Sequence, residues 1–166
     1  AKIKGCRVVG IAGSDEKCKW LVETLGFDAA VNYKKARGAL LAEIKQKCPK
    51  GIDVFFDNVG GEQLEIALNL INKCTSTQIA QTLSFFFLLF FPFLFFSNTL
   101  DSFPFETVAS IVICGGISQY NALPTEVKGP RNYMNLVINR GSMTGFVVLD
   151  YEKQFPQAIL ELAGWL

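Results

Sequence analysis

"CRVVGIAGSDEKCKWLVETLGF", residues 6–27, decides the fold. Its opening run, Cys6 to Ile11, is apolar and rich in β-branched side chains, and reads as a buried strand. Ser14 then offers an N-cap, with Asp15 and Glu16 in the first turn of a helix. Leu21, Val22 and Leu25 form an apolar stripe, and Gly26 suits the C-cap. The stretch is therefore a strand, a tight turn and a helix.

The same unit recurs. "AAVNY" (29–33) reads as a strand and "ARGALLAEIKQKCPKG" (36–51) as a helix ended by Pro49 and Gly51. "IDVFFDNVGG" (52–61) reads as a strand running into a glycine pair, and "EQLEIALNLINK" (62–73) as an amphipathic helix. Further on come "SIVICGG" (110–116, strand), "RNYMNLVINR" (131–140, helix), "SMTGFVVL" (142–149, strand) and a last helix over 151–166 disturbed at Pro156. Alternation of apolar strands with helices predicts an α/β fold with a parallel sheet covered on both faces.

Composition narrows the chemistry. The 166 residues carry a net charge of +1, which gives no electrostatic case for nucleic acid or an anionic membrane surface. There is no His, which removes His-based acid/base catalysis and most catalytic zinc sites. The five Cys, at 6, 18, 48, 74 and 114, are widely spaced and include no CxxC pair. They read as buried thiols in a reducing compartment, with no metal site.

In a parallel sheet, ligands sit beyond the carboxyl ends of the strands. After the first strand, "GIAGSDEK" puts Gly13, Ser14 and Lys17 at a place where NAD enzymes carry a ribose-binding carboxylate nearby. A hydroxyl, a helix N-terminus and a Lys suit a 2′-phosphate, hence NADP; the plain alternative is an N-cap and a surface charge. The acids Asp15 and Glu16 count against the phosphate reading unless they point away. Asn58 could present its amide at the end of the third strand, or simply start the next helix. In "CGGISQYN" (114–121), Tyr120 could donate its hydroxyl into a cleft, or be a rim residue.

"GCRVVGIAGSDEK", "LGFD…NYK", "GIDVFFDNVGG", "VICGGISQYN" and "GFVVLDY" occur in this order. Together they resemble the zinc-independent medium-chain dehydrogenases/reductases, the group of prostaglandin, alkenal and curcumin reductases. The resemblance covers residues 1–74 and 110–166. It implies an incomplete doubly wound parallel sheet, a Rossmann-type NADP-binding domain interrupted by a Phe-rich insertion at 75–109. It also implies reduction by NADPH of the C=C bond of a small-molecule enone or enal, in the cytoplasm, by a protein commonly dimeric. By the same resemblance Lys17 is the 2′-phosphate ligand, with Ser14 beside it, and Tyr33 lies at the adenosine end. Asn58 contacts the cofactor. Cys114, Gly115, Gly116, Ile117, Ser118 and Tyr120 run along it, Tyr120 reaching the substrate oxygen as the catalytic residue. Phe146, Val147 and Val148 line the nicotinamide side. No metal is implied. The family's phosphate-binding turn and catalytic domain should precede Ala1, so this chain by itself is expected to bind NADPH weakly or not at all, and to be inactive.

Residues 81–100, "QTLSFFFLLFFPFLFFSNTL", hold eight of the fifteen Phe and no charge. The run 83–96 is too short to cross a membrane. Its 14 residues span roughly 21 Å as a helix, against about 30 Å of hydrocarbon, and Pro92 interrupts it. A core strand would not be apolar on both faces and broken by Pro. Phe, Leu, Ser and Pro share pyrimidine-rich codons, so the segment reads as a translated intron, with a real insertion or a membrane-associating segment as the alternatives.

Overall fold

The structure, a computed structural model, describes residues 1–73 and 109–165. The Phe-rich stretch lies outside them. Five strands are described: β1 (Val9–Ala12), β2 (Ala29–Asn32), β3 (Val54–Asp57), β4 (Ser110–Ile113) and β5 (Ser142–Gly145). All pairing among them is parallel, in two sheets ordered β1–β2 and β3–β4–β5. The helices are α1 (Asp15–Glu23), α2 (Leu40–Lys47), α3 (Gly61–Leu70), α4 (Asn135–Asn139) and α5 (Phe155–Trp165).

Local chemistry explains the boundaries. Ser14 does cap α1: its Oγ accepts from the Lys17 N–H at 3.3 Å. Gly26 takes a left-handed φ of 67° just past the helix. Asp28 closes the loop before β2, accepting the Val8 N–H at 2.7 Å and pairing with Lys2. The helical run expected over 151–166 changes character beside Pro156. Pro156 stands in the first turn of α5, where no N–H is needed, and the preceding residues 148–154 form a separate 3-10 segment.

Helix α3 joins the two halves of the core. Leu64, Ala67 and Leu68, with Ile71 after the helix, recur at helical spacing and pack on Ala109 and Ile111. Ile66, on the neighbouring face, joins Val31, Leu40 and Ile44 against Ile11. Thus α2 and α3 cover one face of both sheets. On the other face of β1–β2, a Cβ at Gly10 would meet Leu21 Cδ1 at 2.7 Å and Phe27 Cδ2 at 3.1 Å, so α1 lies almost on the backbone there.

The packing also corrects other expectations. Of the α1 stripe, Leu21 packs with Phe27 over Gly10, whereas Val22 and Leu25 are exposed. Coverage on both faces holds for β1–β2 but not for β3: Val54 and Phe56 are 61% and 55% exposed, and no described helix packs over them. Among the described residues the thiols are not buried either. Cys6 and Cys114 are exposed and Cys18 and Cys48 half-buried, since the first two sit in a loop and at a strand end. Ala109, placed with the insertion by the sequence, belongs to the core: it is buried, and its carbonyl accepts from the Ser142 N–H at 3.0 Å.

Candidate cofactor-binding edge

Parallel pairing gathers the strand ends singled out in the sequence within each sheet, those of β1 and β2 in one and those of β3, β4 and β5 in the other. Three groups of residues stand there.

The first lies at the ends of β1 and β2. Gly13 closely approaches the two residues after β2: a Cβ on it would lie 3.2 Å from Tyr33 Cε1, 3.3 Å from the Tyr33 hydroxyl and 3.4 Å from Lys34 Cε. Ser14 caps α1, whose first-turn N–H groups and dipole face the same edge. Lys17 is one turn on and exposed. Asp15 is turned to β2: its Oδ1 accepts from Asn32 Nδ2 at 2.6 Å and its Oδ2 pairs with Lys35. Lys35 first, then Asn32, hold its carboxyl below the usual range.

The second group lies at the ends of β3 and β4. Asp57, missed in the sequence reading, organises it. This residue is buried, and its Oδ1 accepts from the N–H groups of Val59 (2.8 Å) and Gly60 (2.9 Å). The signal was present, since an Asp at a strand end bonding the backbone two residues on is an Asx turn. Its other oxygen, Oδ2, is buried without a hydrogen-bond partner among the described residues. Gly60 has φ 72° and ψ −155°, a region open essentially to Gly alone.

The β4 loop is knitted to this turn. The N–H groups of Cys114 and Gly115 bond the Asp57 carbonyl, that of Ile117 bonds Asn58 O, and that of Ser118 bonds Val59 O. The Ser118 hydroxyl also donates to Val59 O. Tyr120 bends back over its own loop, and its hydroxyl accepts the Gly116 N–H at 3.1 Å. The ring is 68% exposed. With the oxygen engaged as acceptor, the hydroxyl hydrogen is free to donate outward. Asn58 and Ile117 have exposed side chains, so the sequence-selected residues converge here through backbone more than through side chains.

The third group, Phe146–Val148, comes after β5. Phe146 N–H bonds Ile113 O at 2.8 Å; its ring meets Phe56 edge-on at 6.1 Å and stacks on Tyr151 at 5.2 Å. Val147 and Val148 are exposed beside it. Among the described residues no group of three or more His, Cys, Asp or Glu could hold a metal ion, and no helix is long and apolar enough to cross a membrane.

Comparison with known proteins agrees with this geometry. A family model described as zinc-binding dehydrogenase matches residues 1–76. The crystal structure of CurA from Vibrio vulnificus in complex with NADPH superposes with a TM-score of 0.68 at 31% identity, covering 99% of this chain and 39% of that one. The fold and its loop-lined edge are thus those of a Rossmann-like nucleotide-binding domain, and the chain resembles the medium-chain dehydrogenases/reductases. Among curated relatives it is 38% identical to YfmJ of Bacillus subtilis and 35% identical to prostaglandin reductase 1 of Rattus norvegicus, in both cases over its whole length. It is 36% identical to the NADP(+)-dependent 2-alkenal reductase of Nicotiana tabacum over 95% of its length. The chain spans about 39%, 40% and 35% of those three proteins, respectively.

Proposed function

We propose that this chain is the cofactor-binding part of an NADP-dependent oxidoreductase that reduces the C=C bond of α,β-unsaturated aldehydes or ketones. The observation that carries the reading is the Tyr120 hydroxyl, fixed by the Gly116 N–H at the glycine-lined edge and free to donate. Names of relatives support it: one is an NADP(+)-dependent 2-alkenal reductase, another a prostaglandin reductase, and CurA was crystallised with NADPH.

The residues fit a dinucleotide. At Gly13 the absence of a side chain lets the Tyr33 ring and the Lys34 stem lie close over the backbone, with the Ser14-capped helix start beside them. The orphaned Asp57 Oδ2 can accept from a donor arriving at the edge. In this reading Lys17 and the α1 N-terminus hold the 2′-phosphate, and Tyr33 flanks the adenosine end. Asn58 and the turn from Cys114 to Ser118 run along the cofactor's length, and Phe146, Val147 and Val148 shield the reducing end from water. NADPH, when bound, supplies the hydride. Tyr120 donates its hydroxyl hydrogen to the substrate carbonyl oxygen, where negative charge develops as the conjugated double bond is reduced. A fixed donor of this kind contributes about 10²–10³ in rate. The reading also carries a homodimer and a cytoplasmic location.

The test uses the full-length protein with an enal, the matching saturated aldehyde and NADPH. NADPH oxidation with the enal only, with the saturated aldehyde as product, is expected. Tyr120→Phe should lower kcat about 10²-fold or more with little change in KM for NADPH. Formation of an allylic alcohol, or no oxidation with any enal or enone, would overturn the assignment.

A further inference from the structure

Asp15 is the residue that sits least comfortably with a phosphate at the β1–β2 edge. It directly follows the Ser14 cap and carries a negative charge where a 2′-phosphate would bring two more. The structure removes the conflict in a particular way. Both carboxylate oxygens are engaged from the β2 side, Oδ1 by Asn32 Nδ2 and Oδ2 by the Lys35 ammonium. Asn32 is itself anchored, its Oδ1 accepting the N–H groups of Lys34 (3.1 Å) and Lys35 (3.4 Å). One amide thus ties the turn after β2 to the acid at the start of α1. Lys34 is outside this arrangement, with its stem against Gly13. Of the two adjacent lysines, one neutralises the acid and the other stands at the open surface.

We propose that Asn32 and Lys35 form a charge clamp on Asp15, and that Lys35 is a positioning residue that selects dinucleotides bearing a 2′-phosphate over those with a free 2′-hydroxyl. This rests on the cofactor reading above and adds to it. Lys35 acts through Asp15 and does not itself contact the phosphate. Free of the clamp, the Asp15 carboxylate repels a 2′-phosphate and leaves a free ribose hydroxyl unaffected or better bound, as acids near this edge do in NAD enzymes. The pair is exposed, so salt screens the effect and its size is modest.

The test is calorimetric titration of the full-length protein with adenosine 2′,5′-bisphosphate and with adenosine 5′-monophosphate at low ionic strength. If the unaltered protein does not prefer the bisphosphate, the cofactor reading fails, and the clamp with it. If it does, Lys35→Gln should weaken the bisphosphate about two- to fivefold and leave the monophosphate unchanged. Adding Asp15→Asn to Lys35→Gln should restore the bisphosphate affinity. Lys19→Gln, which removes the same charge from the exposed Lys19–Glu23 pair on α1, should change neither. A double variant as weak as Lys35→Gln would mean direct contact and would sink the clamp. So would an unchanged Lys35→Gln, or a Lys19→Gln loss of equal size.

Discussion

Gly60 and Gly115 hold the second half of the edge together for different reasons. Gly60 is needed for its backbone angles, and Ala there costs about 1–3 kcal/mol in a urea titration. Gly115 is needed for space: an added Cβ would lie 2.8 Å from the Tyr120 hydroxyl and 3.3 Å from Asn58 O. The exposed Tyr120 ring can swing away, so Gly115→Ala is expected to cost less than about 1 kcal/mol of stability. It should nonetheless bring the kcat of the full-length enzyme towards that of Tyr120→Phe. A Gly115→Ala enzyme with unaltered kcat would show that the placement of the hydroxyl is unimportant. The role of Gly115 could not be read in "VICGGISQYN". The sequence marks glycine, but the atom that excludes a side chain comes from a residue five positions on, folded back.

At the scale of elements, α3 is the hinge of the core. Leu68 is fully buried among Leu64, Ile71 and Ile111. Leu68→Ala should cost about 2–5 kcal/mol in denaturant unfolding, more than any exposed apolar position on α1. The same helix is tied to the chain before α4 by Glu65, whose carboxylate receives Arg131 Nε at 3.0 Å, Nη2 at 2.9 Å and the Arg131 N–H at 3.1 Å. The Arg131 guanidinium, then its N–H, holds the Glu65 carboxyl down to about 2. A carboxyl lowered on folding contributes stability above its unfolded value near 4.5, and that contribution disappears as pH falls towards 2. Glu65→Gln should therefore flatten the acid limb of the stability curve between those values. An unchanged limb would mean the pair is not maintained in solution.

At the scale of the whole molecule, the described residues that flank 74–108 lie close together. Asn72 N–H bonds Ile52 O at 2.8 Å and Ser110 N–H bonds Asp53 O at 2.8 Å, so both flanks are seated on consecutive residues leading into β3. Ile71 and Ala109 also share one core cluster, and both approach Gly141. Flanks this close can be joined by a few residues. A full-length protein in which 74–108 is replaced by a short Gly/Ser linker is expected to unfold within about 1 kcal/mol of the unaltered one and to oxidise NADPH at a similar rate. Loss of cooperative unfolding would show instead that the segment belongs to the core.

The α/β class, the parallel strands, the Ser14 cap and the strand ends that carry the edge were legible in sequence. They depend on local pattern: β-branched runs, helical spacing and turn residues lie within a few positions of one another. Side-chain roles at the edge depend on what lies across from them, and the sequence is silent there. Asp15 reads as a misplaced acid until β2 delivers Asn32 and Lys35 to it. Asp57 was legible as an Asx-turn residue, but the bonding of its carbonyl by the β4 loop was not. Exposure was misjudged at Val22, Leu25, Val54, Phe56, Cys6 and Cys114 for one reason. An apolar residue type states what would be favourable to bury; only packing across the sheet decides whether a neighbour is there to bury it.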